Sequence, residues 1–438
     1  MYRYIHFTNS FGYNIGQRFR YTMPRTKCIF CVFTLVLCFT CGIFYFYFLN
    51  KTQSMYQMNV SDDVKCEANV KKEDLDESQS MFGLRNLVDV QLDNRNNFKK
   101  KLIVYFNVMP WESIEQTNTC FKKSCEYSNC VVTTDRNKVT VADAVRFQIS
   151  YENFGSKLPF KRPHPDQVWI FHLTEAPVNR NFSGYDSPEW TNQVNWTDSK
   201  FLASDLSTYE AFLYTRTQPT DLDYNAVFAA KTRSTMWAVS HCFTQSKREL
   251  YVKRLQAAGL SVDIYGRCGD NGRINDTEFR SLLSKYKFYL SFENSLCKDY
   301  VTEKFFSQYN HNWILVTRGG SNYSSIFPQA TFIDSAKFLS PESLAAYLIN
   351  LGNDKNRYIK LLKEKNKYEA RRKASEYKWC ELCRKLNNIS KYRKSYQNIT
   401  AYLLDGRCCE PTDILAFLTF QNIEMCFVTG IITIIAIN

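Results

Sequence analysis

A chain of 438 residues is too long for one ordinary core, and it reads as two domains with appendages. Its formal charge of +13 leaves three partner classes open: nucleic acid, a membrane surface or an anionic small substrate. The N-terminus narrows that choice.

Residues 1–27 are polar and basic, with Arg3, Arg18, Arg20, Arg25 and Lys27. Cys28–Leu49 carries no charge and is long enough to span a bilayer at ~1.5 Å per residue. It is too long for a signal-peptide core and starts too far into the chain. The basic flank keeps the N-terminus cytosolic, so the expectation is a signal anchor with a lumenal body. The bland alternative is a buried core helix. Residues 50–97 are polar and charged and read as a solvated stem. A lumenal body meets no genome, which removes nucleic acid from the partners.

From Lys101 the pattern becomes α/β, and residues 98–225 read as the first domain. Leu102–Val108 and Val131–Thr134 are strand candidates, and Ala142–Ile149 has helical spacing at Ala142, Val145 and Ile149. Gln167–Thr174 is a buried strand ending in Glu175-Ala176-Pro177. Alternating strands and helices predict a parallel sheet, whose ligands lie at the carboxyl ends of strands. Glu175 stands at such an end, where a lone glutamate is more often simply solvated. Thr215–Asn225 is a polar loop near the junction of the domains.

Residues 226–410 read as the second α/β domain. Met236–Ser240 and Val262–Gly266 are strand candidates around an amphipathic helix, Ser246–Ala258. Arg248 at that helix's start opposes the dipole unless an anion binds there; otherwise it is a surface arginine. Tyr265 faces a nucleotide or, as is commoner, fills core. Tyr286–Phe292 is an aromatic strand feeding a polar turn, Glu293 to Lys298, then a helix. Asp299 is its expected N-cap, with Glu303 near the capping-box position. Such a junction offers free N–H groups to an anion, and Lys304 lies within reach of it. An ordinary buried βα unit is the alternative.

Trp313–Thr317 is a further strand, and Ser340 with Pro341 opens a helix to about Leu351. Tyr358–Lys385 reads as one basic amphipathic helix packing back across the domains. The tail, residues 411–438, is apolar but interrupted by Glu424, and it has no assigned role.

Cys380-x-x-Cys383 fits zinc, redox chemistry or disulfides, and no second pair has zinc-finger spacing. Cys120, Cys125 and Cys130 form another group, and Cys408 and Cys409 are adjacent. An oxidising lumen favours disulfides. Sequons at Asn59, Asn181, Asn195, Asn275, Asn322, Asn388 and Asn398 fit a secretory-pathway body. Asp74-Leu-Asp76 and Asp221-Leu-Asp223 have the form of a metal motif, but such triplets are common by chance, and no metal ligand is assigned.

One string is far more specific. Phe288-Tyr289-Leu290-Ser291-Phe292-Glu293-Asn294-Ser295 followed by Asp299-Tyr300-Val301-Thr302-Glu303-Lys304 resembles the signature of the α1,3/4-fucosyltransferases, inverting enzymes that use GDP-fucose. Val239-Ser240-His241 before Arg248, the Tyr265-Gly266 turn and Glu175-Ala176-Pro177 (alanine for the family's serine) extend the resemblance. It departs at Lys200-Phe201, where the family has Tyr-Arg, at Ala203 for an aspartate, and at Leu315 for a proline.

The resemblance implies a GT-B arrangement, two Rossmann-like domains facing a cleft. Glu175 would be the catalytic base. Arg248, Tyr265, Asn294, Tyr300, Glu303 and Lys304 would bind the donor. It also implies a Golgi type II membrane protein acting on GlcNAc of glycoprotein glycans. No metal is required by the mechanism, while stimulation by Mn or Mg, homo-oligomer formation and the acceptor stay open. The alternatives are an inactive glycan-binding scaffold on the same fold and an enzyme of another nucleotide sugar.

Overall fold

The computed structural model describes residues 99–414 apart from 110–111, 151, 208–210 and 372–373. The expected anchor, stem, Asn59 sequon, Asp74-Leu-Asp76 triplet and most of the apolar tail lie outside the described residues. Among the described residues no helix is long and apolar enough to cross a membrane.

The first sheet is built from β1 (Lys101–Tyr105), β2 (Cys130–Thr133), β3 (Ala144–Gln148), β4 (Val168–Leu173), β5 (Trp196–Ser199) and β6 (Leu206–Ser207). Its order is β2-β1-β3-β4-β5-β6, and every pairing is parallel. Helix α1 (Ile114–Ser124) starts at Ser113, whose side chain accepts from the Gln116 N–H. It covers one face, where Ile103, Ile170 and Trp196 meet Phe121. The other face carries Val104, Phe147, Trp169 and Phe171 against Trp190. Burying each large apolar side chain here stabilises by about 1.5–3 kcal/mol.

The helix expected over 142–149 is instead strand β3. All five of its residues are buried, because it lies between β1 and β4 with helices on both faces. A strand buried on both faces shows no period of two, and its apolar positions fell at helical spacing by coincidence.

After β7 (Phe212–Thr215) and α2 (Tyr224–Ala229) comes the second sheet. Its strands are β8 (Arg233–Ala238), β9 (Val262–Tyr265), β10 (Tyr286–Phe292), β11 (Ile314–Arg318) and β12 (Ile333–Asp334). They run parallel in the order β12-β11-β10-β8-β9. The strand order reverses between β8 and β10, the point where doubly wound sheets bind ligands. Helices α3 (Arg248–Ala257), α4 (Asp276–Leu282), α5 (Glu303–Tyr309), the short α6 (Tyr323–Ile326), α7 (Pro341–Asn353) and α8 (Lys355–Lys365) belong to this half. Ser340 caps α7 in a capping box with Ser343, and Pro341 opens the helix, as expected.

The single helix expected over 358–385 is interrupted. Strand β13 (Tyr368–Arg371) pairs antiparallel with β7, and α9 (Ala374–Asn387) follows. The return across the chain holds, since Trp379, Leu382 and Leu386 of α9 pack on the first sheet. Ile399 and Leu403 of α10 (Ile399–Leu404) pack on its other face.

Disulfides fix these returns. Cys125–Cys380 and Cys130–Cys383 tie α9 to the first sheet, so the Cys-x-x-Cys pair bridges outward rather than to itself. Cys242–Cys268 and Cys297–Cys408 bind the loops after the second sheet's strands. Cross-links of this kind stabilise by about 2–4 kcal/mol each, mainly by restricting the unfolded chain.

Of the described sequons, Asn181, Asn275, Asn322 and Asn398 are exposed. The Asn195 amide donates to the Lys394 carbonyl at 2.9 Å. The Asn388 amide donates to the Arg384 carbonyl and the Tyr127 hydroxyl. Asp223 caps α2 through Asn225 and Ala226, which is a sufficient reason for an aspartate there.

Candidate functional site

The chain leaves β8 at Ala238 and runs through Val239, Ser240 and His241 along the floor of a cleft of about 780 Å³. Tyr289 and Asn294 come from β10 and the turn after it, Arg248 from the start of α3, and Glu303, Lys304, Ser307 and Gln308 from α5. Thr174, Glu175 and Lys200 reach the same cleft from the carboxyl ends of β4 and β5. The cleft therefore sits at the reversal point of the second sheet and faces the strand ends of the first.

Two glycines permit this closeness. A Cβ on Gly266, whose φ is +99°, would lie 2.2 Å from the Val239 carbonyl oxygen. A Cβ on Gly320 would lie within 2.5 Å of the Leu296–Cys297 backbone, which leads into the loop carrying Tyr300.

The expected cap of α5 is corrected. Asp299 has a φ of 59° and accepts from the Leu202 N–H at 3.0 Å, so it latches the loop to the first sheet. Thr302 is the N-cap, accepting from the Lys304 N–H. Glu293, fully buried, accepts from the Thr302 N–H at 2.8 Å and from its hydroxyl, so the strand's own carboxylate sets the start of the helix. The Lys304 ammonium lies 3.4 Å from Glu293 and 2.9 Å from Glu303. Burial would lower the Lys304 pKa, but Glu293 and Glu303 raise it. Burial would raise Glu303, but Lys304 and then Lys200 pull it down to about 2. Both groups are therefore charged at neutral pH.

Arg248 is 4% exposed and donates to the carbonyls of Phe292 at 2.7 Å and His241 at 3.2 Å. Among the described residues its Nε finds no acceptor, and the Asn294 Oδ1 accepts from no donor. Burial lowers the Arg248 pKa, opposed by Glu293 and Glu249, yet a guanidinium keeps its charge. A buried cation with unused donor capacity in a cleft is a site for an anion.

Across the cleft, Glu175 keeps its side chain 29% exposed. It accepts from the Tyr300 hydroxyl at 3.4 Å and lies 3.9 Å from the Arg180 guanidinium. Burial, then Glu175, holds the Tyr300 hydroxyl well above its ordinary pKa, so it stays a donor to that carboxylate.

Of the residues picked out from sequence, Glu175, Arg248, Asn294, Tyr300, Glu303 and Lys304 share the cleft. Tyr265 does not: its ring fills core, and its hydroxyl pairs with Tyr286 at 2.9 Å. The core reading of Tyr265 is the correct one. Sequence reasoning missed Ser307 and Gln308, although one helical turn from Lys304 was signal enough. It also missed Lys200, seen only as a departure. The other departures lie outside the cleft lining: Phe201 and Leu315 are 2% and 0% exposed, and the Ala203 carbonyl accepts from the Tyr402 hydroxyl.

Among the described residues, the grouping spaced to hold a metal is Cys120, Cys125 and Cys380, far from this cleft in sequence, and two of its sulfurs form a disulfide.

Residues 98–209 match the model of the fucosyltransferase N-terminal region, and residues 228–402 match the C-terminal region of glycosyltransferase family 10 (fucosyltransferase). The chain is 32% identical over 304 residues to glycoprotein 3-alpha-L-fucosyltransferase A of Drosophila melanogaster, covering 67% of this chain and 58% of that protein. It is 33% identical over 274 residues to 4-galactosyl-N-acetylglucosaminide 3-alpha-L-fucosyltransferase FUT6 of Pan troglodytes, covering 61% of this chain and 73% of that protein. A crystal structure of an alpha1,3-fucosyltransferase aligns with a TM-score of 0.41 at 15% identity, covering 62% of this chain and 84% of that one.

Proposed function

Because the chain belongs to glycosyltransferase family 10, the fucosyltransferases, we propose that it transfers L-fucose from GDP-fucose to a GlcNAc residue of glycoprotein glycans, in an α1,3 linkage with inversion. The observation that carries this reading is the meeting, in one cleft, of a buried guanidinium with unused donor capacity and a half-buried carboxylate from the opposite sheet.

The two sheets play the parts of a GT-B enzyme. The second holds the donor, with Arg248 and Lys304 facing its diphosphate and Asn294, Tyr300 and Glu303 facing hydroxyls of the ribose or fucose. Glu175 of the first takes the proton from the acceptor hydroxyl as its oxygen attacks the fucose anomeric carbon. The bond from that carbon to the diphosphate breaks on the opposite face, and GDP leaves with its charge matched by the cations. One displacement turns the β-linked donor into an α-linked product. Electrostatic neutralisation by side chains serves in place of a metal, and added Mn or Mg acts at most as a stimulant.

We place the body in the Golgi lumen behind the N-terminal anchor. The disulfides support an oxidising compartment. The departures at Phe201, Ala203 and Leu315 lie outside the cleft lining and give no support to an inactive scaffold.

The test is transfer from GDP-fucose to N-acetyllactosamine, its GalNAc analogue and the chitobiose core of N-glycans, followed by mass spectrometry with and without EDTA. Transfer to one of them that survives EDTA is the expected result. GDP-fucose binding without transfer to any acceptor returns the scaffold reading.

A further inference from the structure

The cleft has an order along its length. At one end Glu175 accepts from the Tyr300 hydroxyl at 3.4 Å. Lys304 follows in the first turn of α5, and Gln308 lines the cleft one turn further on, about 5.4 Å along the helix axis. The strand wall runs the same way. The Phe292 carbonyl, at the end of β10, accepts from Arg248, while Tyr289 lines the cleft three residues earlier, roughly 10 Å down the strand. The lining therefore passes from a carboxylate, through Arg248 and Lys304, to an amide and a phenol.

In the proposed reaction the fucose anomeric carbon meets the acceptor hydroxyl at Glu175, and the diphosphate, on the side away from it, faces Arg248 and Lys304. The nucleoside then lies beyond those cations, against Gln308 and Tyr289. That end of the cleft has an unmet demand. Gln308 is half-buried, and its amide oxygen, itself buried, accepts from no donor among the described residues. A buried acceptor without a donor is costly, and a ligand N–H removes that cost. The wall around it is fixed. The Gln308 carbonyl accepts from the Trp313 indole N–H at 2.9 Å, and Trp313 stacks on Tyr289 with ring centroids 4.8 Å apart. The terminal torsion of a glutamine is soft, so turning the oxygen to the cleft costs little. An acceptor there selects a base with an N–H edge. Guanine offers N1–H and its 2-amino group side by side; adenine has an unprotonated N1 and a C2–H at the same two positions.

We propose that Gln308 is a base-specificity residue: its amide oxygen accepts from the N1–H and 2-amino edge of guanine, so that the cleft prefers guanine over adenine diphosphates. This rests on the reading of the cleft as a nucleotide-sugar site. It gives a role to a residue of α5 that the sequence did not single out.

The experiment measures GDP and ADP affinity by calorimetry in the wild type, Gln308→Met and Gln308→Glu. The wild type should bind GDP at least about 10-fold more tightly than ADP. Gln308→Met keeps the length of the side chain without its oxygen. It should lose about 5- to 10-fold in GDP affinity, with ADP affinity within about 2-fold of the wild type. Gln308→Glu keeps an acceptor oxygen in the same place and should retain the preference for GDP. Equal losses for GDP and ADP in Gln308→Met would mean that Gln308 only shapes α5, and would overturn the inference. So would unchanged GDP affinity in Gln308→Met, a preference lost as fully in Gln308→Glu, or a wild type that binds the two nucleotides alike. Unfolded protein lowers the number of binding sites and leaves the ratio of the two affinities, which is the quantity read. Gln308→Ala supplies the same ratio if Gln308→Met does not fold. A wild-type protein that binds neither nucleotide would instead overturn the donor reading itself, and this inference with it.

Discussion

The two sheets are alike in architecture and opposite in how they use charge. In the second, Arg248 and Lys304 line an open cleft, and Arg248 keeps a buried N–H without an acceptor among the described residues. In the first, a larger set of charges is sealed beneath the strand ends. Arg146 and Asp198 are both 0% exposed and lie 3.0 Å apart. Glu112 pairs with Arg146 at 2.7 Å, the His172 Nδ1 lies 2.8 Å from Asp198, and Lys378 of α9 lies 3.6 Å from the same carboxylate. Burial and Arg146 lower the His172 pKa, so it sits as a neutral ring donating to Asp198. The contrast separates two roles that composition cannot: charges that satisfy one another hold a fold, while charges with unused capacity hold a ligand.

The comparison breaks most sharply at Arg146. Arg146→Met leaves Glu112 without its main partner, takes one of three partners from buried Asp198, and should cost about 3–5 kcal/mol of stability. Chemical denaturation measures the loss, and GDP affinity of the folded fraction should not change. A fall in GDP affinity at unchanged stability would erase the distinction between the sheets.

Next in size is the pH response of Glu112. Burial would raise its pKa, but Arg146 holds it down to about 2. Its folded value lies below its unfolded one, so its contribution is fully present above about pH 4.5 and is lost as pH falls through about 2. The amount is on the order of 3–4 kcal/mol, since each pKa unit corresponds to about 1.4 kcal/mol. Glu112→Gln should flatten this acid limb in denaturation curves taken from pH 6 downwards. An unchanged limb would place the acid sensitivity elsewhere.

On the second sheet, Arg248→Met should weaken GDP binding about 10- to 100-fold, the range for hydrogen bonds to charged groups. Melting should shift less than in Arg146→Met. The smallest effect concerns glycans: in a secreted protein, Asn181, Asn275, Asn322 and Asn398 should be occupied, and Asn195 and Asn388, whose amides are engaged, should not. Peptide mapping by mass spectrometry checks each site.

These differences also explain what the sequence made legible. The second sheet's side of the cleft could be read because its residues are nearly consecutive, from Phe288 to Lys304, and because Arg248 breaks a local rule about helix starts. The cap of α5 was misplaced because Glu293, nine residues before Thr302, holds its N–H, and no spacing rule covers that contact. Strand β3 passed for a helix because both its faces are buried. The ion network was invisible, since Arg146 and Asp198 are 52 residues apart and Arg146 and Glu112 are 34 apart, with no period linking them. The place of Lys200 was hidden because the cleft it lines is formed with the other sheet.

In the proposed reaction one sheet holds the donor while the other supplies the base. The measurement that meets it most directly is turnover and GDP affinity of Glu175→Gln, read on the same preparation. The expected result is a fall in turnover of about 10²- to 10⁴-fold with GDP affinity unchanged. Turnover at the wild-type rate, or a loss of GDP affinity matching the loss of turnover, would contradict it.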